Sequence, residues 1–380
     1  MKLAFATTFD SRDINKWSGT PLHMVNAFLQ QGVSIERIGE LKRHLPPFFK
    51  MKQIWKKLAY AQRESPRFNI LTAKKYSEQL SKKIQSLHVD AIIAPQINPI
   101  TYLDSQFPQI LWTDSLYANL INFYPSFANH STTTIDQGHT IVKECLSRCR
   151  LAIFSSTWAA QTAVNIYGAR PDQIKVVPFG ANIPHQTTLD EIRQVIQARS
   201  RKTFKLLFIG KHWERKGGDI VFQVVTSLHQ AGHPVELNFL GCHPPKHLNI
   251  PDYIKCHGFI SKSTPAGMSK ILQLYHDSHL LFVPSRAEAY GVVFCEANAF
   301  GLPCLTSNVG GISTIIKNGI NGMGFAANTA IETYCDYIVE LMENYSRYEE
   351  LALSSFNEYQ TRLNWRVATQ TVKELISDII

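Results

Sequence analysis

Two glutamates, Glu288 and Glu296, stand eight residues apart in the run RAEAYGVVFCEANAFG at 286–301, one on each side of Gly291. Paired carboxylates hold hydroxyl groups, move protons or bind metal, so the pair poses a chemical question. Spacing by itself does not answer it, because 17 Glu in 380 residues give about 0.8 such pairs by chance. The same interval separates Glu332 from Glu340 and Glu350 from Glu358, both in ordinary helical sequence. What sets the first pair apart is its setting.

The apolar run LLFVP at 280–284 reads as a strand. Glu288 then falls in the loop after it, and Gly291 opens a helix whose first N–H groups lack partners. Glu296 lies one and a half turns into that helix, in sequence that otherwise reads as core. An unbonded carboxylate there is costly. Two ligand hydroxyls, such as the 2′ and 3′ of a ribose, would satisfy it, and Glu288 would face a sugar ring across the phosphates. The run FIGKHWERKGG at 208–218 supplies the opposite charge. A strand ends at Gly210, Lys211, Arg215 and Lys216 follow, and Gly217 with Gly218 opens a helix. Cations beside free helix N–H groups suit a diphosphate. A solvated basic loop is the plain alternative for this stretch alone. The Gly-x-x-x-x-Gly-Lys-Ser/Thr pattern of a P-loop does not occur in the chain. In SNVGGISTI at 307–315, Gly310 and Gly311 follow another strand, where a backbone can approach a ligand closely.

These loops need strands to hold them. Apolar runs at 3–9, 33–39, 91–95, 109–114, 151–156 and 174–180 alternate with helical stretches at 20–31, 72–87, 135–149 and 157–168. Runs at 204–210, 235–241, 253–260, 280–285 and 303–307 restart the alternation, with helices from Gly217, Pro265 and Val292. Continuous apolar strands indicate parallel sheets covered on both faces. Two consecutive doubly wound α/β domains follow, 1–182 and 204–363, joined by a polar linker at 183–203. Ligands of such sheets bind beyond the carboxyl ends of the strands, where the unusual residues fall.

Composition narrows the class. Hydrophobic content of 44% and charged content of 18% fit a globular chain. No apolar run reaches the roughly 20 residues of a membrane span. The N-terminus reads as a first strand rather than a signal peptide. The seven Cys are scattered, so reduced thiols and a cytoplasmic location are expected. No Cys/His cluster has zinc spacing, and no metal site is expected. The net charge of +9 is one-sided: residues 1–185 hold 21 Lys+Arg against 12 Asp+Glu, and residues 186–380 hold 18 of each. Such a surface suits an anionic partner, or serves solubility alone.

The order Gly-(basic)-x-x-x-x-Lys-Gly, then Glu-x-(aromatic)-Gly-x-x-x-x-Glu-Ala, then Gly-x-Pro and Gly-Gly, resembles the family-4 retaining glycosyltransferases of the GT-B fold. The match spans most of 204–325. WSGTPLHM, LWTDSLYANLINFYP and VVPFGAN look like cleft loops of that family, and NWRVATQTVKELI looks like its final helix, which crosses back at 364–380 onto the first domain. The resemblance implies two Rossmann-like domains facing across a cleft, with a nucleotide-sugar donor on the second. By family role Lys216 would neutralise the diphosphate, with Arg215 near it. Lys211 would stand beside it where the family usually has Arg, forfeiting a bidentate pairing. Glu288 would bond the sugar hydroxyls and Glu296 the ribose. The backbone at Tyr290, Gly291 and Val292 would touch sugar or diphosphate, and the segment His257 to Ile260, with Phe259, would border the base. Gly19 would let a first-domain loop approach the phosphates. A UDP-sugar is favoured as donor, GDP-mannose next, with no further cofactor.

Transfer with retention is implied, the departing phosphate taking the acceptor's proton on the same face through an oxocarbenium-like state. The catalytic set is then Asp114, Lys216 and Glu288. Many relatives have a His where this chain has Thr113 and Asp114; Asp114 is the candidate for orienting a hydroxyl, against a helix N-cap. His130 and His139 are alternatives. No Asp-x-Asp occurs, so metal independence is expected.

The segment LKRHLPPFFKMKQIWKKLAY at 41–60 interleaves cations with large apolar residues. It suits either an anionic membrane interface at the inner face, bringing a lipid-linked, glycan or phosphorylated acceptor, or a surface helix packed on its domain. A sugar epimerase, a phosphorylase or a non-catalytic nucleotide-sugar or nucleic-acid binder are the rival classes. Nucleic acid is the weaker partner, since the charge lies away from the donor motifs.

Overall fold

The computed structural model describes residues 1–184 and 187–380. Twelve strands form two six-stranded sheets among the described residues. The first holds β1 (Lys2–Ala6), β2 (Ser34–Ile38), β3 (Ala91–Ala94), β4 (Gln109–Thr113), β5 (Leu151–Phe154) and β6 (Ile174–Val176), in the order β2-β1-β3-β4-β5-β6. The second holds β7 (Phe204–Ile209), β8 (Val235–Leu240), β9 (Ile254–Gly258), β10 (Leu280–Val283), β11 (Cys304–Ser307) and β12 (Gly322–Phe325), in the order β12-β11-β10-β7-β8-β9. Every pairing is parallel. The central strands β3, β5 and β10 are buried along their whole length, which is why AIIA, LAIF and LLFV show no alternation.

The chain divides into two compact units, Met1–Pro178 with Trp365–Ile380, and Phe179–Asn364. The final helix, Trp365–Ser377, belongs to the first unit, where it packs on α1 (Thr20–Gln30). Trp365 meets Trp112 of β4 edge-to-face with ring centroids 5.7 Å apart, and Gln31 donates a hydrogen bond to the Arg366 carbonyl at 2.8 Å.

Several expected boundaries shift. The run read as 3–9 stops at Ala6, because the Thr7 hydroxyl donates to the Phe9 carbonyl at 2.6 Å and turns the chain out of the sheet. The run read as 174–180 stops at Val176. Within the segment read as linker, 183–203, positions 185 and 186 lie outside the described residues. The helix Leu189–Ala198 has a capping box between Thr188 and Glu191 and buries Ile192 and Ile196 in the second unit. Arg199, also buried, donates to the carbonyls of Gly301 and Phe300 at 2.7 and 2.8 Å and to the Tyr348 hydroxyl at 2.7 Å. No helix among the described residues is long and apolar enough to cross a membrane.

Candidate functional site

In the second unit the site grows from the carboxyl ends of β7 and β10, adjacent in the sheet. After β7 the short turn Trp213–Lys216 leads into the helix Gly218–Gln230 through Gly217, at φ +74°. A Cβ on Gly217 would lie 2.2 Å from the Pro284 carbonyl oxygen, so only glycine lets this turn lie against the end of β10. The loops after the two strands are laced together. Arg215 donates to the Ala287 carbonyl at 2.8 Å, and the Arg286 N–H to the Arg215 carbonyl at 2.8 Å. The Arg286 guanidinium forks onto Asp219 at 2.7 and 2.6 Å.

This lacing sets Glu288 against the cations. Its carboxylate is bonded to the Lys216 ammonium, with Arg215 at 3.6 Å. Lys216 is buried, and the side chain of Glu288 is only 12% exposed. The Gly311 N–H donates to the Glu288 carbonyl at 3.2 Å, which brings the Gly310–Gly311 turn into the same site. His212 registers the leftover positive field: its pKa is lowered by burial, then by Arg215, Lys216 and Lys211. Lys211 is exposed, with its ammonium 5.1 Å from the ring centre of Phe259, itself 62% exposed at the end of β9.

Glu296 lies in the helix Val292–Asn298 and is buried. The sequence suggested ligand hydroxyls as its partners. Two protein groups hold it in the structure, the Lys262 ammonium and the Tyr275 hydroxyl at 2.9 Å. Burial, then the Glu296 charge, pushes the Tyr275 pKa well up, so this hydroxyl stays a donor. Gly291 enters the helix at φ +97°; a Cβ there would press on the Phe294 ring at 2.7 Å. Val292 is half-buried beside it. Tyr290 turns its side chain inward, donating to the Phe179 carbonyl at 2.7 Å, which leaves only its backbone for contact with a ligand.

The first-unit candidates scatter more. Gly19 is buried as the N-cap of α1 at φ +81°, after Trp17 and Ser18, which also have positive φ. Asp114 follows β4 but does not cap the next helix, Tyr117–Leu120, whose N-cap is Leu116. Asp114 accepts instead from the Trp17 indole at 3.2 Å and the Ser115 hydroxyl at 2.7 Å. His130 and His139 pair with tyrosine hydroxyls, Tyr117 at 2.8 Å and Tyr167 at 3.1 Å, and burial lowers both pKa values. Thr113 is buried at the end of β4.

Helix α2 (Phe49–Tyr60) bears on the 41–60 segment. Phe49 is its one buried residue, whereas Met51, Ile54, Trp55 and Leu58 are 66, 59, 54 and 81% exposed. The alternative of an apolar face packed on the domain is therefore corrected: that face is open in this chain. Among the described residues no group of three or more His, Cys, Asp or Glu is placed to hold a metal ion.

Sequence reading missed Lys262 and Tyr275. Lys262 sits in a Ser-rich loop after β9, one of the loops expected to converge, but nothing in SKST marks one lysine as the partner of an acid 34 residues on.

Residues 190–355 match the family described as glycosyl transferases group 1. The D-inositol 3-phosphate glycosyltransferase of Acidothermus cellulolyticus is 26% identical over 191 residues, 45% of this chain and 41% of that protein. The chain spans about two fifths of the length of the first curated relatives it matches. Sucrose-phosphate synthase from Thermosynechococcus elongatus has the same fold over 100% of this chain and 99% of its own, with TM-score 0.73 and 14% identity. Anabaena HepE, solved in complex with UDP and glucose, matches over 100% of both chains with TM-score 0.64 and 17% identity. The fold is therefore GT-B. Residues 190–355 are similar to the glycosyl transferases group 1, in line with the family resemblance drawn from the motifs.

Proposed function

We propose that the protein transfers a sugar, with retention and without a metal, from a nucleotide-diphosphate donor to an acceptor hydroxyl. The observation that carries this reading is the closure of Lys216 and Arg215 on Glu288 where β7 and β10 end. Lys216, Arg215 and the first N–H groups of the helix Gly218–Gln230 receive the diphosphate, and the charge that grows on it as the glycosidic bond breaks is met by groups already in place. Glu288 holds the sugar hydroxyls. Glu296 takes the ribose, with Lys262 and Tyr275 keeping its carboxylate bonded until then. Phe259 borders the base beside Lys211. Asp114 is the group that orients a hydroxyl at the donor sugar. A UDP-sugar is the first choice of donor, in keeping with the UDP and glucose bound by HepE. A phosphorylated acceptor is in keeping with the name of the curated relatives.

We also propose that α2 rests on an anionic membrane surface, its exposed aliphatic and aromatic residues entering the interface and Lys50, Lys56 and Lys57 meeting headgroups. Flotation with anionic vesicles but not with neutral ones is expected, and equal flotation would remove this part. For the reaction, labelled UDP-glucose and GDP-mannose are offered with and without EDTA. Transfer or slow hydrolysis that survives EDTA, with the donor's anomeric configuration kept in the product by NMR, supports the reading. Activity lost to chelator and restored by Mn²⁺ refutes metal independence, and no turnover or binding of any nucleotide sugar refutes the rest.

A further inference from the structure

The first unit holds a cavity of about 170 Å³ at the carboxyl ends of its strands. Thr8 beyond β1, Arg43 beyond β2, Gln96 and Asn98 beyond β3, and Ser115 beyond β4 line it, together with Arg67 from the turn Pro66–Phe68. A parallel α/β sheet binds ligands at this end. The polar lining is uneven. Gln96 is occupied by the Thr8 N–H and hydroxyl at 2.8 and 3.0 Å, Asn98 by the Arg67 carbonyl at 2.8 Å, and Ser115 by Asp114 at 2.7 Å. The two guanidiniums differ: neither Arg43 nor Arg67 forms an ion pair among the described residues. Arg67 lies over the rings of Phe68 and Phe127, 5.6 and 5.7 Å from their centres. Both arginines are exposed residues; local crowding round the Arg67 guanidinium lowers its pKa by desolvation, with the Asp114 charge opposing. Nearby Glu64 is already taken, by Lys52 at 3.1 Å and the hydroxyls of Ser131 and Thr134 at 2.8 and 3.1 Å. The Asp114 charge acts on Arg67, and no Asp or Glu is among the residues that line the cavity with the two arginines.

We propose that this cavity is an oxyanion subsite, in which Arg43 and Arg67 hold a phosphate monoester carried by the acceptor. It rests on the glycosyltransferase reading and deepens it by giving the acceptor a charge and an anchor. Guanidinium forks match the tetrahedral oxygens of a phosphate in pairs, and a phosphate brings the extra negative charge that the pocket lacks. The rings of Phe68 and Phe127 lie within cation–π distance of the Arg67 guanidinium and favour its seat at the cavity. A soluble sugar phosphate and a phosphomonoester headgroup in a membrane present the same chemistry.

Calorimetry with glucose 6-phosphate and with glucose, and flotation with vesicles containing phosphatidic acid or only phosphatidylcholine, test the subsite on the full chain. UDP titrations run in parallel. Expected is binding of glucose 6-phosphate or of phosphatidic acid at least tenfold tighter than of its uncharged counterpart. Arg43→Gln and Arg67→Gln should each cut that preference about tenfold and leave UDP affinity unchanged, and Arg67→Lys should restore part of it. Equal binding of charged and uncharged probes, or a preference untouched in both Gln variants, overturns the proposal. If wild type binds UDP while that happens, the donor reading survives without the subsite. If wild type fails to bind any nucleotide, the donor reading falls and the phosphate preference stands or fails by itself. If one Gln variant melts below wild type by more than a few degrees, the comparison rests on the other Gln variant and on displacement of glucose 6-phosphate by inorganic phosphate in wild type, where failure to displace overturns the proposal.

Discussion

The two units treat charge in opposite ways. In the second, 179–364 holds 16 basic and 16 acidic residues, and the acids of the site are each held by a cation: Glu288 by Lys216 and Arg215, Glu296 by Lys262, Asp219 by Arg286. In the first, 1–178 with 365–380 carries the whole excess of +9, and Arg43 and Arg67 face a cavity without ion-pair partners among the described residues. Partners built into the fold hold a site in shape before its ligand arrives. Cations left open wait for a partner from outside. Under the proposed function, the difference is between a donor side assembled in advance and an acceptor side whose charge is completed by what binds.

The largest test of the assembled side is Lys216→Ala. It removes a buried ammonium that the proposed function sets against the leaving diphosphate, and a fall in kcat/KM on the order of 10³-fold is expected, as for loss of a preorganised charge stabiliser. Lys216→Arg should recover a part. A loss under tenfold in the Ala variant would mean that the pair with Glu288 is structural only, and the contrast between the units would fail at its strongest point.

Next comes Lys262→Met. Glu296 is buried, and its pair with Lys262 is the one a ribose would have to replace or join. Stripping the cation leaves a buried carboxylate with Tyr275 alone, which costs about 3 kcal/mol after allowance for the solvent contact Lys262 retains. The sharper reading compares melting points with and without saturating UDP. If ribose hydroxyls take over the carboxylate, the deficit of the variant shrinks with UDP bound. An equal deficit in both conditions would place the ribose elsewhere.

The sequence made the strands legible because both faces of AIIA, LAIF and LLFV are covered, so the apolar signal is unbroken. Their ends were not, because departures such as the Thr7 to Phe9 turn depend on one hydroxyl. Glu288, Glu296 and the basic loop were legible as a set through fixed local spacing around glycines. Lys262, Tyr275, Arg43 and Arg67 were not. Each meets its surroundings through the tertiary fold: Tyr275 sits at an apolar period of its helix and reads as core, and Arg67 reads as one more charge in a basic stretch. The opening of α2 was undecidable for the same reason, since amphipathicity alone does not say whether a face finds a neighbour.

A weaker effect tests how closed the second unit is. His279 is buried between β10 and the chain near Ser200. Its Nδ1 accepts the Lys205 N–H at 2.9 Å, so Nε2 carries the proton and donates to the Ser200 carbonyl at 2.9 Å. Burial lowers its pKa to about 3. The unfolded chain protonates this ring below about pH 6.5, and the folded one does not until about 3. The unfolded state therefore binds the extra proton in that window, and stability falls as pH drops from 6.5 towards 3, with no contribution above it. Wild type should lose more of its melting temperature between pH 7.5 and 5 than His279→Gln does. Parallel losses would remove His279 from the acid response.

The smallest effect reports directly on the field at the donor loops. His212 is exposed, and its pKa is lowered by burial and by the cations Arg215, Lys216 and Lys211. A diphosphate among those cations supplies the opposite charge, and an opposite charge favours the imidazolium. The His212 ring resonances should therefore titrate at higher pH in saturating UDP than in the free protein, and uridine, which has the base and ribose but no phosphate, should leave them where they were. In Lys211→Gln the free value should already stand higher and the UDP-induced rise should be smaller, since one of the three cations is gone. The same titration with glucose 6-phosphate gives the contrast between units its finest edge: a ligand whose phosphate goes to Arg43 and Arg67 moves His212 little. A rise as large as that with UDP would mean that both anions use the same cations, and the division between an assembled side and an open side would no longer describe this molecule.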